Sequence, residues 1–240
     1  MEIPLSNFAM SILNNCVKWA GTWWPQRCLL CEARAGTIGV CASCYAELPW
    51  LTAIRCPQCA MPTSGGEVCG ACLGDPPRFD AVDASFAYAW PLAPVVRRYK
   101  YGGTLALSQL LAQALAACVK HEQVDVIIPM PLAPQRLRER GFNQALEIAR
   151  VVSTHTGVKL VPHACRRVLH SAPQAALPWK ERAKNIRGAF VCDVNLSGKR
   201  VAVVDDVMTT GATLNELSRN LRQAGASEIR GWIVARTLPR

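Results

Sequence analysis

Residues 201–213, Val-Ala-Val-Val-Asp-Asp-Val-Met-Thr-Thr-Gly-Ala-Thr, constrain the fold more than any other stretch of this chain. Four apolar residues in a row read as a buried strand of a parallel sheet. Two carboxylates stand at its carboxyl end, a loop of hydroxyl residues and glycine follows, and a helix begins. Ligands of open α/β sheets bind at the carboxyl ends of strands, and the free N–H groups of a helix amino terminus attract anions. A ligand suited to this segment carries a phosphate for the loop and a diol or metal ion for Asp205 and Asp206. A 5-phosphorylated ribose meets both requirements. An ordinary helix capped by Thr210 or Thr213 would also account for the loop. It would leave the repulsion between adjacent aspartates uncompensated.

The second constraint is an internal repeat. Eight of the twelve cysteines form four C-x-x-C pairs, Cys28/Cys31, Cys41/Cys44, Cys56/Cys59 and Cys69/Cys72. A shift of 28 positions maps the first four onto the last four, so the unit C-x2-C-x9-C-x2-C occurs twice. Each C-x-x-C knuckle sets two thiolates on one side, and two knuckles complete a tetrahedral all-sulfur site. Disulfides would need an oxidising compartment and a secretory signal, which nothing supports. Four-cysteine sites also hold iron–sulfur clusters, but neither unit has C-x2-C-x2-C spacing, so zinc is expected. Sequential pairing is the simplest, and crossed pairing is the alternative. Two filled Zn2+ sites leave no open coordination position, which makes them structural.

At 240 residues, half of them apolar, the chain suits one medium α/β domain with a small appendage. Its net charge of +10 is unevenly placed. Residues 1–80 hold five basic and six acidic residues, which leaves 22 basic and 11 acidic residues in 81–240. Anionic partners are expected at that second part. No run of eighteen apolar residues suggests a membrane span, and the first 27 residues lack the basic start of a signal peptide. The expected location is therefore the cytoplasm. The organisation reads as a helical segment over 1–27, a double ribbon over 28–75 and an α/β domain over 81–240. The boundary is Asp75-Pro76-Pro77-Arg78-Phe79-Asp80.

Within that last domain, strands are expected over 81–90, 124–130, 158–165, 189–193, 199–204 and 228–235. Helices are expected over 92–99, 105–119, 144–155 and 214–224. Lys100-Tyr101-Gly102-Gly103 reads as a flexible basic turn. Arg136, Arg138 and Arg140 read as a basic loop at a helix start, where they would oppose the macrodipole unless an anion binds. Residues 166–187 carry Arg166, Arg167, Lys180, Arg182, Lys184 and Arg187 against one acid, Glu181. A segment this long and polar inside a compact domain is functional or mobile. Cys16, Cys118, Cys165 and Cys192 have no metal spacing and read as core thiols, and the four histidines form no metal pair or triad.

Residues 201–213 resemble the PRPP-binding loop of type I phosphoribosyltransferases, a Rossmann-like α/β fold with a mostly parallel sheet. That resemblance implies that Asp205 and Asp206 hold the ribose hydroxyls and that Thr209, Thr210, Gly211, Ala212 and Thr213 wrap the 5-phosphate. The whole chain after residue 27 is similar to the ComF family, which joins a small N-terminal double zinc ribbon to such a domain. The motifs carrying this are the four C-x-x-C pairs, Lys100-Tyr101-Gly102 and Arg140-Gly141-Phe142-Asn143-Gln144. Gln174, Glu181-Arg182 with Asn185, Gly188-Ala189-Phe190 and the PRPP loop complete them. The resemblance implies PRPP with Mg2+ as ligand, pyrophosphate contacts from Arg136, Arg138, Arg140 and Arg182, and a loop over 166–188 that closes on PRPP. It further implies use of extracellular DNA, with single-stranded DNA and a DNA-uptake or helicase protein as partners. Two activities fit, phosphoribosyl transfer with release of pyrophosphate and a non-catalytic DNA-binding or regulatory module.

Overall fold

The computed structural model describes residues 27–36, 38–51, 54–102, 107–119, 121–168 and 186–239. The chain divides into two compact units, Met1–Glu47 and Leu48–Arg240. Among the described residues, no helix is long and apolar enough to cross a membrane. The 1–27 segment falls almost wholly outside the described residues.

The repeat in sequence is a repeat in backbone. In the first unit the Cys28 N–H donates to Ala33 O, the Glu32 N–H donates to Cys28 O, and Glu32 is left-handed at φ 62°. The second knuckle opens a helical turn, α1 (Ala42–Ala46), with Cys41 as its cap. In the second unit the Cys56 N–H donates to Met61 O, the Ala60 N–H donates to Cys56 O, and Ala60 is left-handed at φ 59°. Its second knuckle opens α2 (Gly70–Gly74), with Cys69 at the N-cap position. Every one of these features is displaced by the same 28 residues. Two non-glycine residues hold left-handed backbone at equivalent places because the knuckle must turn back on itself to converge its sulfurs.

The larger unit is built on five parallel strands in the order β1, β7, β6, β2, β3. They are β1 (Ala81–Ala87), β2 (Val126–Pro129), β3 (Lys159–Leu160), β6 (Arg200–Met208) and β7 (Glu228–Arg236). Helices α3 (Leu92–Tyr101), α4 (Leu107–Ala116), α5 (Pro134–Arg140), α6 (Gln144–Thr156) and α7 (Ala212–Gln223) join or flank them. A separate antiparallel pair is formed by β4 (Cys165–Arg167) and β5 (Phe190–Cys192). Val201 to Val204 are fully buried, and so are Ile127, Ile128 and Trp232. Continuous apolar runs are what a sheet covered on both faces requires.

Chain reversal in the sheet defines the site. From β2 the chain passes through α6 to β3 on one side, whereas from β6 it passes through α7 to β7 on the other. The carboxyl ends of β2 and β6 therefore flank the switch point, where a crevice opens in such sheets. The outer edge of β1 is covered by the second ribbon and its lead-in. The Leu51 N–H donates to Ser85 O, the Ala87 N–H to Pro49 O and the Val82 N–H to Pro57 O. An edge paired in this way offers no template for another chain.

Four expected elements differ. Strand β6 continues through the aspartates to Met208 because β7 pairs with it as far as Arg236. Lys100 and Tyr101 form the last turn of α3 rather than a basic turn. The expected strand over 158–165 is two short strands in different sheets, broken at Pro162, which has no N–H for a ladder. Finally, the three arginines lie in a helix of their own, α5, with Arg138 and Arg140 in its last turn. These two complement the macrodipole, so the expectation that they oppose it is overturned for them, while Arg136 stays in the first turn.

Candidate functional site

Asp205 and Asp206 stand in consecutive positions on β6, beside the end of β2. Successive side chains of a strand point to opposite faces, so the pair addresses two directions. Asp206 is buried and its Oδ1 lies 3.1 Å from Lys100 Nζ. Asp205 is half-buried, and its Oδ1 accepts from the Asp206 N–H at 2.9 Å. Burial, and then the charge of Asp206, push the Asp205 carboxyl up to about 7. A cation or a pair of donors placed against it would relieve that penalty.

The folded carboxyl thus keeps its proton well above the unfolded value of 3.8. Its contribution to stability is full below about pH 4 and is lost as the pH rises through about 7. Urea unfolding of the free protein should show that decline, and Asp205→Asn should flatten it. An unchanged pH profile in the variant would contradict the assignment.

The loop after β6 is short. Thr209 is exposed, the Thr210 hydroxyl accepts from the Ala212 N–H at 3.1 Å, and Gly211 is left-handed at φ 82°. A Cβ added at Gly211 would come within 2.7 Å of Met208 Cε. Helix α7 starts immediately after, and the first N–H groups of a helix have no partner within it. A cleft beside the loop is lined by Asp205, Met208, Thr209, Thr210, Gly211 and Thr213.

The Arg140–Gln144 block organises the neighbouring wall. Gly141 ends α5 at φ 77°, and Asn143 caps α6 by accepting from the Ala145 and Leu146 N–H groups. The Asn143 side chain also donates to Met130 O at 3.1 Å, which ties the cap to the end of β2. Arg140 donates to Gln144 Oε1 at 2.9 Å, and its guanidinium lies 5.0 Å from the ring centre of exposed Tyr101. Tyr99 is fully buried, and its hydroxyl donates to Gln144 O. Arg136 and Arg138 are exposed, and Arg182 lies outside the described residues.

Two residues of this region, Glu216 and Arg236, were not singled out in the sequence, whereas Arg167 was expected only as one of the basic residues of 166–187. Burial and then nearby Arg136 depress the Arg167 guanidinium, whereas Asp205 raises it, so β4 brings a second cation toward the acidic pair. Glu216 on α7 accepts from the Gly188 N–H at 2.7 Å and from Arg219, which holds the Gly188-Ala189-Phe190 motif on α7. Arg236, at the end of β7, is buried, and its Nε donates to Cys59 O at 2.9 Å. Its Nη1 donates to the carbonyls of Met208, Thr209 and Thr237. Arg236 therefore spans from a zinc knuckle to the base of the loop. Its available signal was an arginine ending the apolar run Trp232–Ala235.

The cysteines assemble sequentially, as Cys28, Cys31, Cys41 and Cys44 in one group and Cys56, Cys59, Cys69 and Cys72 in the other. The sulfurs of each group lie within 4.8 Å of one another, with separations of 3.7 Å for Cys31–Cys41 and 3.6 Å for Cys59–Cys69. A tetrahedron with Zn–S of 2.3 Å needs sulfurs about 3.8 Å apart, so both sets fit zinc. Burial raises the Cys28 and Cys56 thiols, but surrounding N–H donors outweigh it and bring them down to about 6 and about 7. Cys56, Cys59 and Cys72 are buried, whereas in the first set only Cys28 is. The protein should hold about two zinc ions per chain, and a chelator titration should empty the first site before the second. Simultaneous loss of both would count against separate sites.

The parallel α/β sheet with an acidic pair at its switch point and the two tetrathiolate ribbons define an α/β protein of the zinc-ribbon class. The family model for the Double zinc ribbon domain matches residues 20–73. The chain is 30% identical over 224 residues to DNA utilization protein YhgH of Escherichia coli O6:H1, covering 89% of this chain and 98% of that one. It is 31% identical over 219 residues to competence protein F of Haemophilus influenzae, covering 87% and 90%. The chain belongs to this competence and DNA-utilisation family. A solved purine phosphoribosyltransferase from Pyrococcus horikoshii superimposes with a TM-score of 0.33 at 25% identity, over 51% of this chain and 69% of that one. At that score it adds nothing to the strand order.

Proposed function

We propose that this chain binds PRPP with Mg2+ at the β2–β6 switch point and transfers its phosphoribosyl group to an acceptor, releasing pyrophosphate. The observation that carries this is the pair Asp205–Asp206 directly before a hydroxyl-and-glycine loop that opens α7. The aspartates would accept from the two ribose hydroxyls, and the N–H groups of the loop and α7 would hold the 5-phosphate. Lys100, in salt-bridge contact with Asp206, and Arg167, close to Asp205, keep the acidic pair from repelling a polyanion.

As the bond from ribose C1 to pyrophosphate breaks, positive charge grows on the sugar ring and negative charge on the leaving group. Basic side chains on the α5 side, Arg136, Arg138 and Arg140, would face that negative charge. Mg2+ bound with PRPP would supply further neutralisation. Catalysis of this kind is positioning and electrostatics, so it asks for no nucleophile from the protein.

Calorimetry of PRPP binding with and without Mg2+, with Asp206→Ala as control, tests the site. Pyrophosphate release with a panel of acceptors tests turnover. Binding without release for any acceptor would favour the non-catalytic reading. Exposed Tyr101 beside Arg140 supports a single-stranded DNA surface there, since an aromatic face with a guanidinium accepts a base. Anisotropy with a labelled oligonucleotide should then weaken with salt, at a slope of about −0.7 per phosphate neutralised. Tyr101→Ala should lower affinity and leave that slope intact, and a salt-independent signal would remove the surface from consideration.

A further inference from the structure

The small antiparallel pair β4–β5 contains a juxtaposition that neither zinc nor PRPP explains. Cys165 and Cys192 face each other in register across the two strands. The Val168 N–H donates to Ala189 O and the Asp193 N–H to Ala164 O, which makes 164/193 and 168/189 the hydrogen-bonded pairs. By the alternation of an antiparallel ladder, Cys165/Cys192 is then a non-hydrogen-bonded pair, where Cα atoms come to about 4.5 Å and side chains are nearest. That spacing lies inside the range a disulfide spans. The two Sγ atoms are 3.0 Å apart, so a bond requires an approach of about 1 Å.

We infer that Cys165 and Cys192 are a redox-active dithiol that closes to a reversible cross-strand disulfide when a hydroperoxide oxidises it. Two features separate this pair from ordinary core thiols. Cys192 is only half-buried, so an oxidant reaches it, whereas Cys165 is buried behind it. The Cys165 thiol also donates toward the Cys192 sulfur, and this contact, opposed by burial, brings Cys192 down to about 7. The more accessible partner is thus the better nucleophile.

The electron balance is complete with the hydroperoxide as oxidant. The Cys192 thiolate attacks the outer peroxide oxygen, the O–O bond breaks, and the remaining oxygen leaves as alcohol or water by taking up the proton that Cys192 released to solvent. The resulting sulfenic acid is attacked by Cys165, the S–S bond forms, and water departs with the Cys165 proton. An external dithiol returns two electrons and restores both thiols. In a reducing compartment such a bond is transient and responds to peroxide. It would staple the strand pair beside Arg167 and Phe190, which are partners in the next non-hydrogen-bonded pair. The inference does not depend on the PRPP reading.

The test uses the full zinc-loaded chain, titrated with hydrogen peroxide, with zinc release followed by a chromogenic chelator. Free thiols are then labelled with N-ethylmaleimide and mapped by peptide mass spectrometry. A crosslinked Cys165–Cys192 peptide should form before zinc is released, with loss of label at both residues and its return after dithiothreitol. Cys165→Ser should stop at a sulfenic acid on Cys192 that dimedone traps. If that variant fails to fold, the wild-type map alone decides. Both thiols still labelled at peroxide levels that release zinc would overturn the inference. So would separate oxidation of each to sulfinic acid without a crosslink.

Discussion

Gly211→Val is expected to reduce PRPP affinity by about a hundredfold or more, since two lost charge-assisted hydrogen bonds amount to roughly 3 kcal/mol. The position is left-handed at φ 82°, and its Cβ would enter the space of Met208 Cε at 2.7 Å. A branched residue avoids that backbone region at a cost of about 1–2 kcal/mol, so the loop should open rather than adopt it. The N–H groups that would line the phosphate then lose their common direction. Gly211→Ala meets the same backbone restriction with less bulk, and its affinity should fall between valine and wild type. Calorimetry measures both. Wild-type affinity in the valine variant would detach the phosphate site from this loop.

Arg236→Leu is expected to cost about 2 kcal/mol or more of folding stability, because a buried carbonyl left without a donor costs about 1–3 kcal/mol, although Met208 O keeps the Thr237 N–H and Thr209 is exposed. Four carbonyls share this guanidinium, those of Cys59, Met208, Thr209 and Thr237. Burial depresses its pKa, while the neighbouring Cys59, Cys72 and Cys69 raise it, as expected of a counter-ion to a tetrathiolate. The variant should therefore lose zinc from the second site selectively and retain about one zinc per chain. Arg236→Lys keeps the charge but not the fork, and should recover zinc retention better than stability. Urea unfolding and metal analysis check the two effects separately. A loss below about 1 kcal/mol would show that water satisfies those carbonyls instead.

The features legible in the residue string are those written in contiguous residues. Val201 to Thr213 spell strand, acidic pair, loop and helix, and the fold presents them in that order with the strand a little longer. The cysteine repeat was equally open to reading, since a knuckle is a local turn and its geometry recurs after 28 residues. What misled was end-of-element chemistry. Lys100 and Tyr101 are followed by two glycines and looked like a turn, yet the tertiary position of α3 carries the helix through them. Arg136 to Arg140 looked like a loop because charged residues crowd there. Pro134 in the first turn and left-handed Gly141 at the end mark a short helix instead.

Surroundings of equivalent residues were not legible at all. The two ribbons share one pattern, but the sulfurs of the second are mostly buried and its Cys59 carbonyl holds Arg236. Lys100, Arg167 and Arg236 reach the acidic strand from positions far away along the chain. Cys165 and Cys192, separated by 27 residues, meet through a strand pairing. Local pattern carries the chemistry of a turn or a strand end because neighbouring residues share one backbone path. Which distant side chain balances a buried charge is set by crossover order and register, and these follow from the packing of the whole sheet.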